Sequence, residues 1–377
     1  MRKLRYRLKL FAAICVAAAL AGPAWGAGSA RTDSQKPRAR NVILFIADGT
    51  GLPTVHAASV LAHGRPQALY IHRMPFVGLS ETSTASNWVT DSAAGMTAIV
   101  TGRKTHNGVV SQGPNAVRGE RDGTALKTIL EYAEEHGLAT GVVTNSPAAD
   151  ATPAACYAHS NDRGKWGEIF LQILEPRFGD GVDLVIGRGR DRIFRETAAL
   201  GVEDLAARFR EKGYVFLDQP ASLTAIPAGT RKLVALFETP SPYEFDLAAG
   251  VDCALRILER DPDGFFLMVE SDNHLGDIRQ SVENMARFDG IIERAAARLR
   301  GTPTLLIFTA DHSYDLHFPK GAPIGEDIVP VLRAEGHHNA EEVLVTAEGP
   351  GAEQVHGFFP NTRLFHIMMS AFGWTPD

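Results

Sequence analysis

Asn41-Val42-Ile43-Leu44-Phe45-Ile46-Ala47-Asp48-Gly49-Thr50-Gly51 sets the architecture of this chain. Its apolar run is continuous rather than alternating, as in a strand buried on both faces, and it stops at an aspartate followed by turn residues. Comparable short runs recur at Ala139–Thr144, Val182–Ile186, Phe265–Val269, Thr304–Thr309 and Glu342–Thr346. Helical patterns fall between them. Leu126, Ile129, Leu130 and Ala133 share a helical face that Gly137 can cap, and Ile278, Val282, Met285, Ile292 and Leu299 mark a longer helix. Strands alternating with helices predict an α/β fold: a three-layer sandwich with a central, mostly parallel sheet and helices on both faces. Such sheets bind ligands at the carboxyl ends of their strands.

The residues at those ends carry chemistry. Asp48 is either a turn residue, since Asp-Gly is a common turn, or a ligand. In Val269-Glu270-Ser271-Asp272-Asn273-His274, an extended chain projects Glu270, Asp272 and His274 from one face. Two converging carboxylates and an imidazole call for a cation. Thr309-Ala310-Asp311-His312 repeats the carboxylate–imidazole pairing at the next strand, and two such pairs favour metal over isolated structural hydrogen bonds. His337-His338 lies in a polar loop shortly before the Glu342–Thr346 run and is able to return to the same edge. This donor mixture suits Zn²⁺ where nitrogen is present and Mg²⁺ where all donors are oxygen.

Three further segments bear on an anion. Val89-Thr90-Asp91-Ser92-Ala93-Ala94-Gly95-Met96-Thr97-Ala98 places Ser92 at the start of a helix, whose free N–H groups and dipole favour a negative ligand. Ser92 is there either a phosphate-facing nucleophile or an ordinary cap. Asp150 suits an N-cap, with Pro153 in the first turn. Arg163 is either a surface arginine or a two-pronged phosphate clamp.

Composition bounds the setting. The chain has 377 residues, 45% of them hydrophobic, enough for one large domain, and its net charge of −6 argues against nucleic-acid binding. Residues 1–26 read as a signal peptide: Arg2, Lys3, Arg5, Arg7 and Lys9 precede an apolar stretch from Leu10 to Ala21, and Ala24-Trp25-Gly26 suits cleavage. That stretch is short for a membrane span, so no stable span is expected after cleavage, and the protein is expected to be periplasmic or secreted. Residues 27–40 read as a flexible leader and 41–377 as a single catalytic domain. Cys156 and Cys253 remain, both in apolar helical patterns, and are expected to be buried free thiols.

From about Asn41 onward the chain resembles the alkaline phosphatase family. Six segments occur in the family's order: Ala47-Asp48-Gly49, Thr90-Asp91-Ser92-Ala93-Ala94, Thr101-Gly102-Arg103-Lys104-Thr105, Asp150-Ala151-Thr152-Pro153-Ala154-Ala155, Thr309-Ala310-Asp311-His312 and Glu348-Gly349-Pro350-Gly351-Ala352. The resemblance implies two Zn²⁺ and one Mg²⁺. Asp48 would bridge the second zinc and the magnesium; Asp311, His312 and Ser92 would complete that zinc. Asp150, Thr152 and Glu270 would hold magnesium, and Asp272, His274 and His338 the first zinc. His356 would not be a ligand. Arg163 would bind phosphate, positioned by Asp91. The family's spacing between Glu270, Asp272 and His274 is contracted here, which leaves Asp277 as an alternative to Asp272. The Ser313–His337 segment is also short, implying a more open pocket with a reduced lid and weakening the family's expectation of a homodimer. Ser313-Tyr314 replaces a pairing that often places a histidine near the metals.

The resemblance thus implies an exported phosphomonoesterase acting on small-molecule phosphomonoesters, with Ser92 forming a phosphoserine. A phosphodiesterase or sulfatase-like hydrolase of the same superfamily is the alternative. Five carboxylates (Asp48, Asp150, Glu270, Asp272 and Asp311) against three dications leave the cluster nearly neutral.

Overall fold

The computed structural model describes residues 38–377 apart from 275 and 320–322. The expected signal peptide and residues 27–37 of the leader lie outside the described residues. Ala39 is already buried, its N–H bonded to Ala371 O at 2.8 Å, and the Arg40 N–H reaches Pro303 O at 2.7 Å.

Among the described residues twelve strands form in chain order: β1 (Asn41–Asp48), β2 (Phe76–Glu81), β3 (Ala139–Pro147), β4 (Leu184–Arg188), β5 (Val215–Leu217), β6 (Leu233–Phe237), β7 (Phe265–Asp272), β8 (Thr304–Thr309), β9 (Ser313–Tyr314), β10 (His338–Asn339), β11 (Val343–Glu348) and β12 (Gly357–Pro360). Ten of them make one sheet in the order β12-β2-β11-β8-β1-β7-β3-β4-β6-β5, and β9 and β10 pair separately. From β8 to β5 all neighbours are parallel. β11 alone runs against the others, pairing antiparallel with β8 and β2, and β12 lies parallel to β2 at the edge.

The helices are α1 (Leu52–His63), α2 (Ser92–Thr101), α3 (Ile129–Glu135), α4 (Ala151–Tyr157), α5 (Trp166–Leu171), α6 (Arg190–Ala199), α7 (Leu205–Glu211), α8 (Leu247–Leu258), α9 (Ile278–Arg298) and α10 (Thr362–Phe372). The alternation of side chains along β1 explains the layering. Val42, Leu44 and Ile46 enter a core shared with α2–α7 and α10, whereas Ile43, Phe45 and Ala47 enter one shared with α1, α8 and α9. The expected three-layer sandwich is present.

Some details differ from the sequence reading. The Glu342–Thr346 run becomes β11, whose direction composition cannot encode. β2, β5, β6 and β12 were not expected. Leu126 falls outside α3, pairing its N–H with Ser111 O at 2.9 Å. The helix starts instead at a capping box, Thr128 with Glu131, and ends as expected at Gly137, which follows His136 in the left-handed conformation with its N–H on Glu134 O and the Leu138 N–H on Ala133 O, both at 3.0 Å. Cys156 and Cys253 are buried free thiols. Among the described residues no helix is long and apolar enough to cross a membrane.

The sheet order puts β1 between β8 and β7, with β3 beyond β7. In register, Asp48 stands beside Asp272. The carboxyl ends of β8, β1, β7 and β3 therefore deliver their acidic residues to one place.

Candidate active site

Asp91 starts α2 as its N-cap, accepting the Ala94 N–H at 3.1 Å on Oδ1. Ser92 is the first helical residue, where backbone N–H groups lack intrahelical partners. Gly95 lets this helix approach the chain after β8, since a Cβ there would lie 2.7 Å from Asp311 O. That approach carries Ser92 Oγ to 3.2 Å from His312 Nε2 and 3.5 Å from Asp48 Oδ2. Ser92 is buried, so the hydroxyl points into the cluster rather than to bulk water.

Around it the predicted residues assemble. His312 Nε2 is 3.2 Å from Asp48 Oδ1 and 3.7 Å from Asp311 Oδ2. Thr152 Oγ1 lies 3.4 Å from Asp48 Oδ2. His274 Nε2 is 3.4 Å from His338 Nε2 and 3.7 Å from Asp48 Oδ1, while its Nδ1 sits 2.9 Å from Asp272 Oδ1. His338 Nδ1 is 2.9 Å from Thr90 O, which fixes the proton on Nδ1 and leaves Nε2 facing inward. Two donor groups, Asp48–Asp311–His312 and His274–His312–His338, are close enough to share a cation. Asp150 is the N-cap of α4 without a capping side chain; its Oδ1 instead accepts from Arg163 at 3.0 Å. His356 is exposed in the turn before β12.

Glu270, Asp272 and His274 do not share one extended face. β7 ends at Asp272, and the chain then turns so that His274 folds back onto its own neighbour. Several side chains hold this contracted turn: Asn145 Oδ1 accepts the Asp272 N–H at 2.6 Å, and Asn284 Nδ2 donates to Asp272 O and Asn273 Oδ1 at 3.1 and 2.7 Å. Asp277, the alternative donor, caps α9 by accepting the Gln280 N–H at 2.9 Å.

The electrostatics describe a cluster built for cations. Asp48 Oδ1, Asp311 Oδ2 and Glu270 Oε1 are buried without a hydrogen-bond partner. Burial resists ionisation of Asp48, yet His274 and His312 hold its carboxyl far below the usual range. Burial and then the Asp48 charge push Asp311 up to about 7 and Glu270 well above its ordinary value, despite the hydroxyl of Thr144 on Glu270. Burial opposes charging of His274, but Asp48 and Asp272 raise it to about 10. Burial and the neighbouring His312 bring His338 down to about 4. Three buried carboxylate oxygens without a hydrogen-bond partner, beside three imidazoles, match zinc and magnesium donor chemistry.

Arg163 bridges the N-cap residues of α2 and α4. Its two terminal nitrogens bind Asp91 Oδ2 at 3.2 Å and Asp150 Oδ1 at 3.0 Å. Asp91 Oδ2 also accepts the Gly108 N–H at 2.8 Å, so the guanidinium is clamped at both prongs. Each terminal nitrogen keeps a second N–H that can serve an anion.

Tyr243 and Tyr314 were missed as supports. The Tyr243 hydroxyl lies 2.7 Å from both His274 O and Ser281 Oγ. Tyr314 pairs with His338 in the β9–β10 ladder, stands edge-on to the His274 ring at 5.2 Å, and donates from its hydroxyl to Gly336 O at 2.9 Å. No motif marks either tyrosine; only proximity does. Tyr314→Ala is expected to weaken metal binding about 10–100-fold, measured by competition with a chromophoric chelator, with Tyr314→Phe retaining most of the affinity. Unchanged affinity in the alanine variant would exclude this bracing role.

A sequence model of the alkaline phosphatase family, described as "Alkaline phosphatase", matches residues 39–334. The chain is 29% identical to an alkaline phosphatase of Gadus morhua, over 85% of this chain and 79% of the relative. It is also 29% identical to the alkaline phosphatase of Escherichia coli K12, over 90% of this chain and 87% of that protein. Among solved structures, alkaline phosphatase from the Antarctic bacterium TAB5 superposes with a TM-score of 0.74 at 26% identity, covering 91% of this chain and all (100%) of the other. A TAB5 variant with magnesium bound gives 0.75 at 27% identity, with the same coverage.

Proposed function

The chain belongs to the alkaline phosphatase family, and from that premise we propose that it is an exported, metal-dependent phosphomonoester hydrolase that works through a phosphoserine at Ser92. The observation that carries this reading is the placement of Ser92 Oγ beside Asp48 and His312, at a helix N-terminus faced by a doubly clamped Arg163. Asp48, Asp311 and His312 would hold one zinc next to Ser92. Asp272, His274 and His338 would hold the other, and Asp48, Asp150, Thr152 and Glu270 the magnesium. Bound there, these ions would supply Lewis acidity for ionising the serine, the leaving oxygen and a water.

The chain's own groups do the rest. Ser92 Oγ attacks phosphorus in line, forming the Oγ–P bond as the ester P–O bond opposite it breaks. The unpaired N–H groups at the start of α2, together with the two prongs of Arg163, take the non-bridging oxygens as charge grows on them. Asp91 and Asp150 keep Arg163 from rotating away between turnovers. Water then attacks the phosphoserine from the side the alcohol has left, restoring the Ser92 oxygen and releasing inorganic phosphate. The apolar segment at residues 10–21 supports export to the periplasm or beyond.

The test is hydrolysis of p-nitrophenyl phosphate beside its bis ester, using protein stripped by chelator and reloaded with zinc and magnesium. Monoester-dominant, metal-restored turnover at alkaline pH is expected; diester-dominant turnover would place the protein among phosphodiesterases. In the same assay Arg163→Ala is expected to raise KM and weaken inhibition by inorganic phosphate by about 10–100-fold, the scale of a lost charge-assisted pair of hydrogen bonds. Inhibition by phosphate equal to wild type would remove Arg163 from the site.

A further inference from the structure

We infer that Trp88 is a stacking platform for the leaving group, so that the enzyme favours phosphomonoesters carrying a nucleobase or another flat aromatic ring. The inference rests on the phosphomonoesterase reading and adds a substrate class to it.

Trp88 is 84% exposed and makes no ring, cation or side-chain hydrogen-bond contact among the described residues. An indole is a large apolar surface that normally folds onto a neighbour. Here the loop prevents that, because its backbone is braced on both sides of the tryptophan. The Thr84 N–H binds Asn87 O at 2.9 Å, and the Asn87 N–H binds Thr84 Oγ1 at 2.8 Å. The Ala85 N–H reaches Thr105 O at 2.9 Å, and Ser86 Oγ lies 2.9 Å from His106 Nδ1. Asn107 donates to Val89 O at 3.1 Å and accepts the Asp91 N–H at 3.2 Å. The ring is thus displayed from a fixed turn, the arrangement that loses least entropy on binding.

Its position is the second half of the inference. Thr90, two residues on, places its carbonyl 2.9 Å from His338 Nδ1, and Asp91 and Ser92 follow directly. Trp88 and Ser92 are four residues apart, at most about 14 Å of extended chain. His274 and His338 face each other with their Nε2 atoms 3.4 Å apart. The loop bearing Trp88 is tied to that same pair through Thr90. That bound of about 14 Å between Trp88 and Ser92 is on the scale of one nucleoside, so a base carried by an ester at Ser92 lies within reach of the indole.

Aromatic stacking of a base is removed by alanine at a loss of roughly tenfold or more. With the metal-loaded enzyme, Trp88→Ala is expected to lower kcat/KM for adenosine monophosphate by about tenfold while changing glycerol phosphate by less than about twofold, and Trp88→Phe to keep most of the nucleotide activity. A non-hydrolysable adenosine phosphonate should quench tryptophan fluorescence in the wild type, and this quenching should be lost in Trp88→Phe. Equal losses on both substrates would make Trp88 a loop brace, and no loss on either would leave the ring outside recognition. Unchanged selectivity with a fall in particle mass on Trp88→Ala would assign the ring to a second copy of the chain. Each of these outcomes overturns the inference. Failure of the wild type on both substrates would instead overturn the phosphomonoesterase reading, and the fluorescence measurement would then decide Trp88 by itself.

Discussion

Ser92→Ala is expected to lower kcat by about four to six orders of magnitude, the scale seen when a covalent nucleophile is removed and only the rest of the site remains. The loss follows from position. Ser92 Oγ is the hydroxyl held at once near Asp48 and His312; Ala93 after it carries no nucleophile, and the Asp91 carboxylate before it is engaged by the Ala94 and Gly108 N–H groups and by Arg163. The fold should survive, because Asp91 rather than Ser92 caps α2 and alanine is a good helix former. Phosphate should still bind, since Arg163 and the helix N–H groups are untouched. Acid quenching of wild-type turnover with a labelled monoester is expected to trap label on Ser92, and none in the variant. A variant within about tenfold of wild type, or label on another residue, would sink the phosphoserine mechanism.

How far the sequence reaches depends on what each residue must satisfy. β1, β3, β7 and β8 are buried on both faces, so their composition has little freedom and their apolar runs stand out. β2 and β12 lie at the open end of the sheet, where one face meets solvent and Gly78 or Pro360 fits without loss of pattern. Leu233–Phe237 is as apolar as β1, and its signal was present but passed over. The site divides in the same way. Residues that donate directly must be Asp, Glu, His or Ser, so type and order reveal them. Their supports need only a hydroxyl, an amide or a ring in the right place: Tyr243 and Asn145 carry no mark in the sequence, and Tyr314 stands out there only as a departure from the family's pairing, until the fold joins them to His274, Asp272 and His338. The turn after β7 shows the limit from the other side: alternation along a strand suggests one face for Glu270, Asp272 and His274, but hydrogen bonds from Asn145 and Asn284 end the strand and fold the histidine back.

Chelation followed by dialysis is expected to abolish turnover and to lower the melting temperature by roughly 6 °C for each cation held at about a thousand times its Kd, the shift expected for a domain of this size. Asp48 Oδ1, Asp311 Oδ2 and Glu270 Oε1 are buried without a hydrogen-bond partner, and removing the cations leaves the carboxylates to be balanced by protons and by the imidazoles of His274 and His312. The pH dependence has a definite sign. Asp311 titrates at about 7 and Glu270 well above its ordinary value in the metal-free fold, so their contribution to stability fades as pH rises from the ordinary carboxyl range through those values. His274, raised to about 10, contributes fully below its ordinary value and loses that contribution as pH climbs toward 10. Both trends weaken the stripped protein in alkali. Metal binding displaces the same protons and grows tighter there. The difference in melting temperature between loaded and stripped protein should therefore widen from pH 6 to pH 9. A gap that narrows over that interval, or a melting temperature indifferent to chelation, would mean that the orphaned carboxylates are balanced by protons and imidazoles alone and that the cluster holds no structural cation.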